Sequence, residues 1–265
     1  MNKVTRLKYY IESLCIYDFE DDDVFSALYD LLCDDEEDTV ALQSYFFKEL
    51  AKSESLKRHI SRLILTNDNI FTKAACAGKV NQLSIAVINA VKSDLAKLEE
   101  IASLTAQDIL ADIDDEDIKE ILLTLPGWEV GKPLAPLDSH WDRQLDELIK
   151  YHRENGYGIY AKNIAFTWRD EEITPVNSID PIRLTDLKNY ELQRNKVIDN
   201  TESFIAGHPA NNVLLYGDRG TGKSSTVHAI LNEYWQKGLR MIEIPKSAVA
   251  DLSLIREQIA DSPMK

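Results

Sequence analysis

Long hydrophobic runs are absent from this sequence. No stretch approaches the roughly 20 apolar residues that a membrane-spanning helix requires. The residues after Met1 mix polar and aromatic side chains and do not form the apolar core of a secretion signal. We therefore expect a soluble, cytoplasmic protein with no membrane partner.

Cysteine is scarce as well. The three cysteines, Cys15, Cys33 and Cys76, are far apart, form no C-x-x-C pair and have no histidine at ligand spacing. An odd number of distant cysteines argues against a disulfide framework and against a zinc site. We therefore expect the three cysteines to be buried thiols in a reducing compartment.

An excess of positive charge is the third feature that the sequence lacks. The formal net charge is −15, and from Thr201 onward seven Lys or Arg residues balance seven Asp or Glu residues, so the excess lies in the first 200 residues. A surface of this sign repels phosphodiester backbones, which argues against a nucleic-acid partner. The acidic runs at 18–23, 34–38 and 112–120 have two interpretations. They form a docking face for a basic protein partner, or they are solvated helix starts and loops.

Helical periodicity dominates the first half of the chain. Residues 1–130 predict an acidic all-helical domain, because apolar residues recur three and four positions apart. The predicted helices cover 7–17, 24–33, 39–53, 56–65 and 81–103, with one or two shorter helices within 105–125. Residues 131–179 predict a proline-containing linker, an amphipathic helix over 141–152 and a β-hairpin with its turn at 169–172.

The most informative stretch is a glycine-rich loop at 217–224. It matches the phosphate-binding pattern G-x-x-x-x-G-K-[ST] and reads Gly217, Asp218, Arg219, Gly220, Thr221, Gly222, Lys223 and Ser224. Glycine permits positive φ, which lets backbone N–H groups turn toward a bound anion. Lys223 is then placed to contact the β- and γ-phosphates of a nucleoside triphosphate as the predicted catalytic residue, and the Ser224 hydroxyl to bind Mg²⁺.

The flanks of this loop fit a nucleotide-binding unit. The apolar run at 212–216 predicts a strand buried on both faces of a parallel sheet. Residues 225–235 predict a helix whose N-terminus faces the anion, and 240–244 predict the next strand. The order strand, loop, helix, strand predicts a βαβ unit.

The C-terminal part of the chain resembles the AAA+ class of ATPases. More narrowly, it resembles a bacterial family of predicted AAA+ ATPases catalogued as domain of unknown function number 815. The likeness rests on the loop and its flanks, on 165–169, and on Leu184, Thr185, Asp186, Leu187, Tyr190, Glu191, Asn200, Phe204 and Gly207. It implies that 180–265 is the N-terminal part of an AAA+ P-loop domain. Within this range the sequence predicts a helix at 191–206, before the strand and the loop.

The resemblance also implies further roles for single residues. Ser225 would contact the α-phosphate, and Leu187 and Tyr190 would lie near the adenine. ATP and Mg²⁺ would be the ligands, and a ring-shaped homo-oligomer the assembly of the complete protein. The fold class expected for the whole chain is α+β, an all-helical domain followed by a truncated α/β P-loop domain.

The acid pair, sensor and arginine finger of such ATPases have no candidate before Lys265. We therefore expect an N-terminal fragment of a longer ATPase that couples hydrolysis to conformational work, and no turnover by these 265 residues alone. Two alternatives stay open. The chain is a nucleotide-binding module without hydrolysis, or an acidic helical protein-interaction module with a vestigial loop.

Overall fold

The computed structural model describes residues 1–34, 38–53, 55–176, 178–260, 262 and 264–265. Within these residues the chain divides into two compact units, Met1–Tyr151 and His152–Lys265. The middle of the acidic run 34–38 lies outside the described residues. The domain boundaries predicted at 130 and 179 stay predictions.

The first unit is helical. Its helices are α1 (Lys3–Glu12), α2 (Asp23–Cys33), α3 (Thr39–Leu50), α4 (Leu56–Leu65), α5 (Ile70–Cys76), α6 (Ile85–Ile101), α7 (Ala106–Leu110) and α8 (Glu116–Leu122). The boundary between the units falls within α9 (Leu145–Asn155), which follows a 3₁₀ turn at Trp141–Arg143. A helical N-terminal part was predicted, and it is confirmed.

One buried carboxylate organises the turn after α1. Asp94 of α6 is fully buried, and its Oδ2 accepts the backbone N–H groups of Cys15, Ile16 and Tyr17 at 2.9, 2.7 and 3.3 Å. These bonds offset the cost of burying a charge, which is large when a carboxylate has no donors. The same three N–H groups are thereby withdrawn from any continuation of α1 beyond its end at Glu12.

The stretch predicted as a linker packs on α4. The carbonyl oxygens of Glu129 and Val130 accept from the N–H groups of Leu56 and Lys57 at 3.0 and 2.9 Å. The N–H of Leu134 donates to Ser61 Oγ at 2.8 Å. The first hydrophobic core then continues through Leu137, Trp141 and Leu148.

The second unit combines helices with a small mixed sheet. Its elements are α10 (Gly158–Lys162), β1 (Ala165–Arg169), β2 (Glu172–Pro175), α11 (Glu191–Ile205), α12 (Lys223–Tyr234), β3 (Met241–Glu243) and α13 (Leu252–Gln258). Among the described residues the strands form one three-stranded sheet in the order β2-β1-β3. β1 and β2 are antiparallel, with Thr167 opposite Thr174, and β1 and β3 are parallel, with Phe166 opposite Ile242.

The predicted hairpin is confirmed at its turn. Asp170 and Glu171 both have positive φ, 53° and 61°. Two successive residues with positive φ form a type I′ turn, whose twist matches the twist of the two strands that it connects. Phe166, Trp168 and Ile173 then pack with Ile255 of α13 in a second small core. The whole architecture is α+β, with a helical first unit, in agreement with the predicted class.

The buried strand predicted at 212–216 is not formed. The segment has no regular secondary structure, and Leu214 and Tyr216 are 83% and 88% exposed. A strand needs a neighbour to receive its backbone hydrogen bonds. β3 pairs with β1 instead, and no strand in the described ranges pairs with 212–216. The predicted βαβ unit is therefore wrong in its first strand, while its helix and second strand are present.

Candidate functional site

The loop before α12 adopts the conformation that its glycines were expected to allow. Gly220 and Gly222 have φ of 82° and 80°. A Cβ at either position would meet no heavy atom within 4 Å, so space is not what requires glycine here. The requirement is conformational, because left-handed backbone is costly for other residue types.

Lys223 is folded back over this loop. Its Nζ donates to the carbonyl oxygens of Gly217 and Asp218 at 3.0 and 2.6 Å and lies 3.2 Å from Thr221 Oγ1. The Thr221 hydroxyl donates in turn to the carbonyl oxygen of Asp218 at 2.9 Å. The ammonium group is thus held inside the loop by neutral oxygens. An anionic oxygen would be a stronger partner for it than any of these carbonyls.

The backbone donors of the loop are free. In the part of the chain that the structure describes, none of the N–H groups from Asp218 to Ser225 has a hydrogen-bond acceptor. α12 begins at Lys223, so the N–H groups of its first turn and the positive end of its dipole belong to the same surface. Donors that converge next to an ammonium group form a site for an anion.

α12 is anchored at its other end. Ala229, Ile230, Leu231 and Tyr234 are buried. The Tyr234 hydroxyl donates to Glu202 Oε1 of α11 at 2.8 Å, and burial together with this carboxylate raises the pKa of Tyr234 to about 12. A packed helix therefore supports the exposed loop, which holds the N–H groups in place before any ligand arrives.

The segment carrying the predicted adenine contacts is fixed to the far half of α12. Asn232 Nδ2 donates to the carbonyl oxygens of Asp180 and Ile182 at 2.8 and 2.9 Å. Asn232 lies about 14 Å along the helix axis from Lys223. Leu187 offers its carbonyl oxygen to Arg194, and Tyr190 is exposed. No hydrogen bond among the described residues joins Leu187 or Tyr190 to the loop, and their role stays a prediction.

The predicted metal ligand is the Ser224 hydroxyl, which is exposed at the first turn of α12. In the described ranges no group of three or more His, Cys, Asp or Glu side chains could hold a metal ion. A single hydroxyl suits Mg²⁺, which keeps several waters and takes its remaining ligands from substrate phosphates. The donor set thus fits a magnesium ion that arrives with a phosphate ligand.

The second unit has a recognisable family likeness. Residues 161–265 match the family described as Protein of unknown function (DUF815). The match begins just before β1 and contains the whole glycine loop and α12. It agrees with the family expected from the sequence and carries no statement of activity. No curated protein and no solved structure is detectably similar to the chain.

No helix in the described part of the chain is long and apolar enough to cross a membrane.

Proposed function

We propose that the loop at 217–224 binds ATP together with Mg²⁺, and that the chain belongs to an ATPase of the AAA+ type. The main support for this proposal is the set of N–H groups from Asp218 to Ser225 that have no acceptor among the described residues and lie beside the Lys223 ammonium group. Triphosphate oxygens need several donors and a cation at short range, and this loop presents both.

Each residue has a definite role in this proposal. Lys223 exchanges the carbonyl oxygens of Gly217 and Asp218 for oxygens of the β- and γ-phosphates. Ser224 binds Mg²⁺, and Ser225 contacts the α-phosphate. The Mg²⁺ ion would supply charge neutralisation at the phosphates. Leu187 and Tyr190 contact the adenine, as the AAA+ resemblance implies.

Isothermal titration of the chain with ATP and Mg²⁺ tests the proposal. We expect Lys223→Ala to weaken binding at least about tenfold, because a charge-assisted bond to phosphate is worth roughly 1.5–3 kcal/mol. Lys246→Ala removes another exposed lysine of the same unit and is the matched control, with an expected change below about twofold. Arg219→Ala tests the rival cation in the loop. Binding that survives Lys223→Ala and is lost with Arg219→Ala would contradict the assignment.

Phosphate release distinguishes the hydrolysing from the non-hydrolysing form of the proposal. Release that Lys223→Ala abolishes identifies an ATPase. Because these 265 residues contain no candidate for the acid pair or the sensor, the comparison uses a protein that also carries them, and tight binding without release by that protein identifies a nucleotide-binding module. The ring-shaped homo-oligomer belongs to the first form, and sedimentation velocity with and without ATP and Mg²⁺ measures it.

A further inference from the structure

An open cavity of about 670 Å³ lies in the first unit between the end of α1, the turn that follows it and the start of α2. This volume falls within the range of sites that hold small molecules. The glycine loop is not part of it, so nothing in the proposed nucleotide site accounts for the cavity.

Aromatic and acidic side chains stand out in the lining of the cavity, beside the aliphatic Ile11, Leu14 and Ile16. Four aromatic rings contribute to it: Tyr17, Phe19, Phe25 and Tyr29. Four carboxylates contribute as well, all exposed: Glu12, Asp18, Glu20 and Asp30. No Lys, Arg or His is found among the described residues that line it. The cavity therefore has an apolar lining of aliphatic and aromatic side chains and a rim of exposed carboxylates.

The walls are fixed by hydrogen bonds to their backbone. Asp94 holds the backbone N–H groups of Cys15, Ile16 and Tyr17, as described above. Asn67 Nδ2 donates to the carbonyl oxygen of Asp18 at 3.0 Å, and Ser26 Oγ to that of Glu20 at 3.1 Å. A preformed wall lowers the entropy lost when a ligand binds.

We propose that this cavity, the acid-rimmed cavity, binds an arginine side chain from a basic segment of another protein. A planar guanidinium group stacks on an aromatic ring, here that of the half-buried Tyr29, while its N–H fork donates to carboxylates, so it uses both features of the lining. The chain's charge of −15, confined to the first 200 residues, attracts a basic segment and accelerates its encounter. A second copy of the first unit would carry the same negative charge and would be repelled, so a basic partner suits the cavity better.

The test uses a fluorescein-labelled peptide of alternating arginine and glycine, titrated with the full chain and followed by anisotropy. Glu20→Gln combined with Asp30→Asn removes two rim charges whose side chains make no hydrogen bond or ion pair among the described residues. As a matched control, Asp117→Asn combined with Glu120→Gln also removes two negative charges, but from α8, outside the cavity. We expect the first pair to weaken binding about tenfold and the second less than about twofold.

Two further measurements test the aromatic interior and the location. Tyr29→Phe keeps the ring and should leave the affinity within about twofold, whereas Tyr29→Leu should weaken it at least about threefold. Circular dichroism confirms that both variants are folded. Bound peptide should also slow alkylation of Cys15, an exposed thiol that lines the cavity, as mapped by mass spectrometry.

Several outcomes would overturn the inference. Equal weakening by the two acidic pairs would mean general attraction to an acidic surface. Equal binding of a peptide with citrulline in place of arginine would exclude recognition of the guanidinium. Spermidine that competes at the same concentration as the peptide would identify a small-molecule site, and a dimer that Glu20→Gln with Asp30→Asn dissociates would identify a second copy as the occupant.

Discussion

At the scale of single residues, Asp22 joins two helices of the first unit. Its Oδ1 accepts the N–H of Phe25 at 2.9 Å as the N-cap of α2, and it lies 2.7 Å from Nε2 of His59 on α4. Partial burial by itself would raise the pKa of the Asp22 carboxyl, but the hydrogen bonds from His59 and Phe25 outweigh burial and lower the pKa. The ionised carboxylate is therefore the form that the fold stabilises.

We expect Asp22→Ala to lower the free energy of unfolding by about 1–2 kcal/mol at pH 7, because the cap and the His59 partner are lost together. Asp22→Asn should cost less, since asparagine is also a good N-cap. Urea unfolding measures both. Asp21→Ala, which changes an exposed neighbouring acid, is the control and should have an effect within about 0.5 kcal/mol.

The stability difference between the wild type and Asp22→Asn should depend on pH, and the direction follows from the lowered pKa of Asp22. A carboxyl whose pKa is lowered by folding contributes stability that is complete above its unfolded pKa, about 3.9. That contribution is lost as the pH falls through the lower pKa of the folded state. The advantage of the wild type over Asp22→Asn should therefore shrink below about pH 4. An advantage that is unchanged between pH 7 and pH 3 would rule out the ionised Asp22 as its source.

At the scale of elements, helices were easier to predict than strands. A helix satisfies its own backbone hydrogen bonds, so local periodicity placed α2, α3 and α4 within a few residues of their bounds. The predicted helix at 7–17 ends early at Glu12, and Asp94, far along the chain, accepts the N–H groups of Cys15 and Ile16 that a longer helix would use. Such a contact leaves no local pattern. The aromatic and acidic alternation at 17–20 is the signal that could have indicated the cavity.

The segment at 212–216 shows the limit of the same reasoning for strands. Its apolar pattern is that of a buried strand, but pairing depends on a neighbour that a local pattern does not reveal. The parallel pairing of β1 with β3 could not be predicted from a local pattern either. The loop itself was predictable because its chemistry is local: glycine conformations, one lysine and one helix start.

We expect Leu214→Asn to change the free energy of unfolding of the second unit by no more than about 0.5 kcal/mol, since this side chain is 83% exposed. Phe166→Ala removes a fully buried ring of β1 and should cost about 3–5 kcal/mol. Urea unfolding followed by circular dichroism compares the two. A loss of several kcal/mol from Leu214→Asn would mean that 212–216 is buried in solution.

At the scale of the whole molecule, the negative charge is distributed unevenly along the chain. The first 200 residues carry the entire excess of −15, while the residues around the glycine loop are balanced. A nucleotide can thus approach the loop without crossing a strongly negative region of its own segment. The acidic surface of the first 200 residues repels the phosphodiester backbone of a nucleic acid.

We therefore expect no binding of duplex DNA at about 150 mM salt, because no basic stripe is available to release counterions. Anisotropy of a labelled duplex, titrated with the chain, measures this directly. The arginine and glycine peptide under the same conditions is the positive control for the acidic surface. Binding of the duplex that weakens steeply with added salt would contradict the expectation.

The most direct test of the central claim is a two-dimensional ¹H–¹⁵N spectrum of the chain, titrated with ATP and Mg²⁺. The claim is that the free N–H groups between Asp218 and Ser225 receive the phosphates. We expect the largest shifts at Gly220, Gly222, Lys223 and Ser224, and their loss with Lys223→Ala. No shift in this loop at millimolar ATP, or shifts confined to another region, would contradict the account.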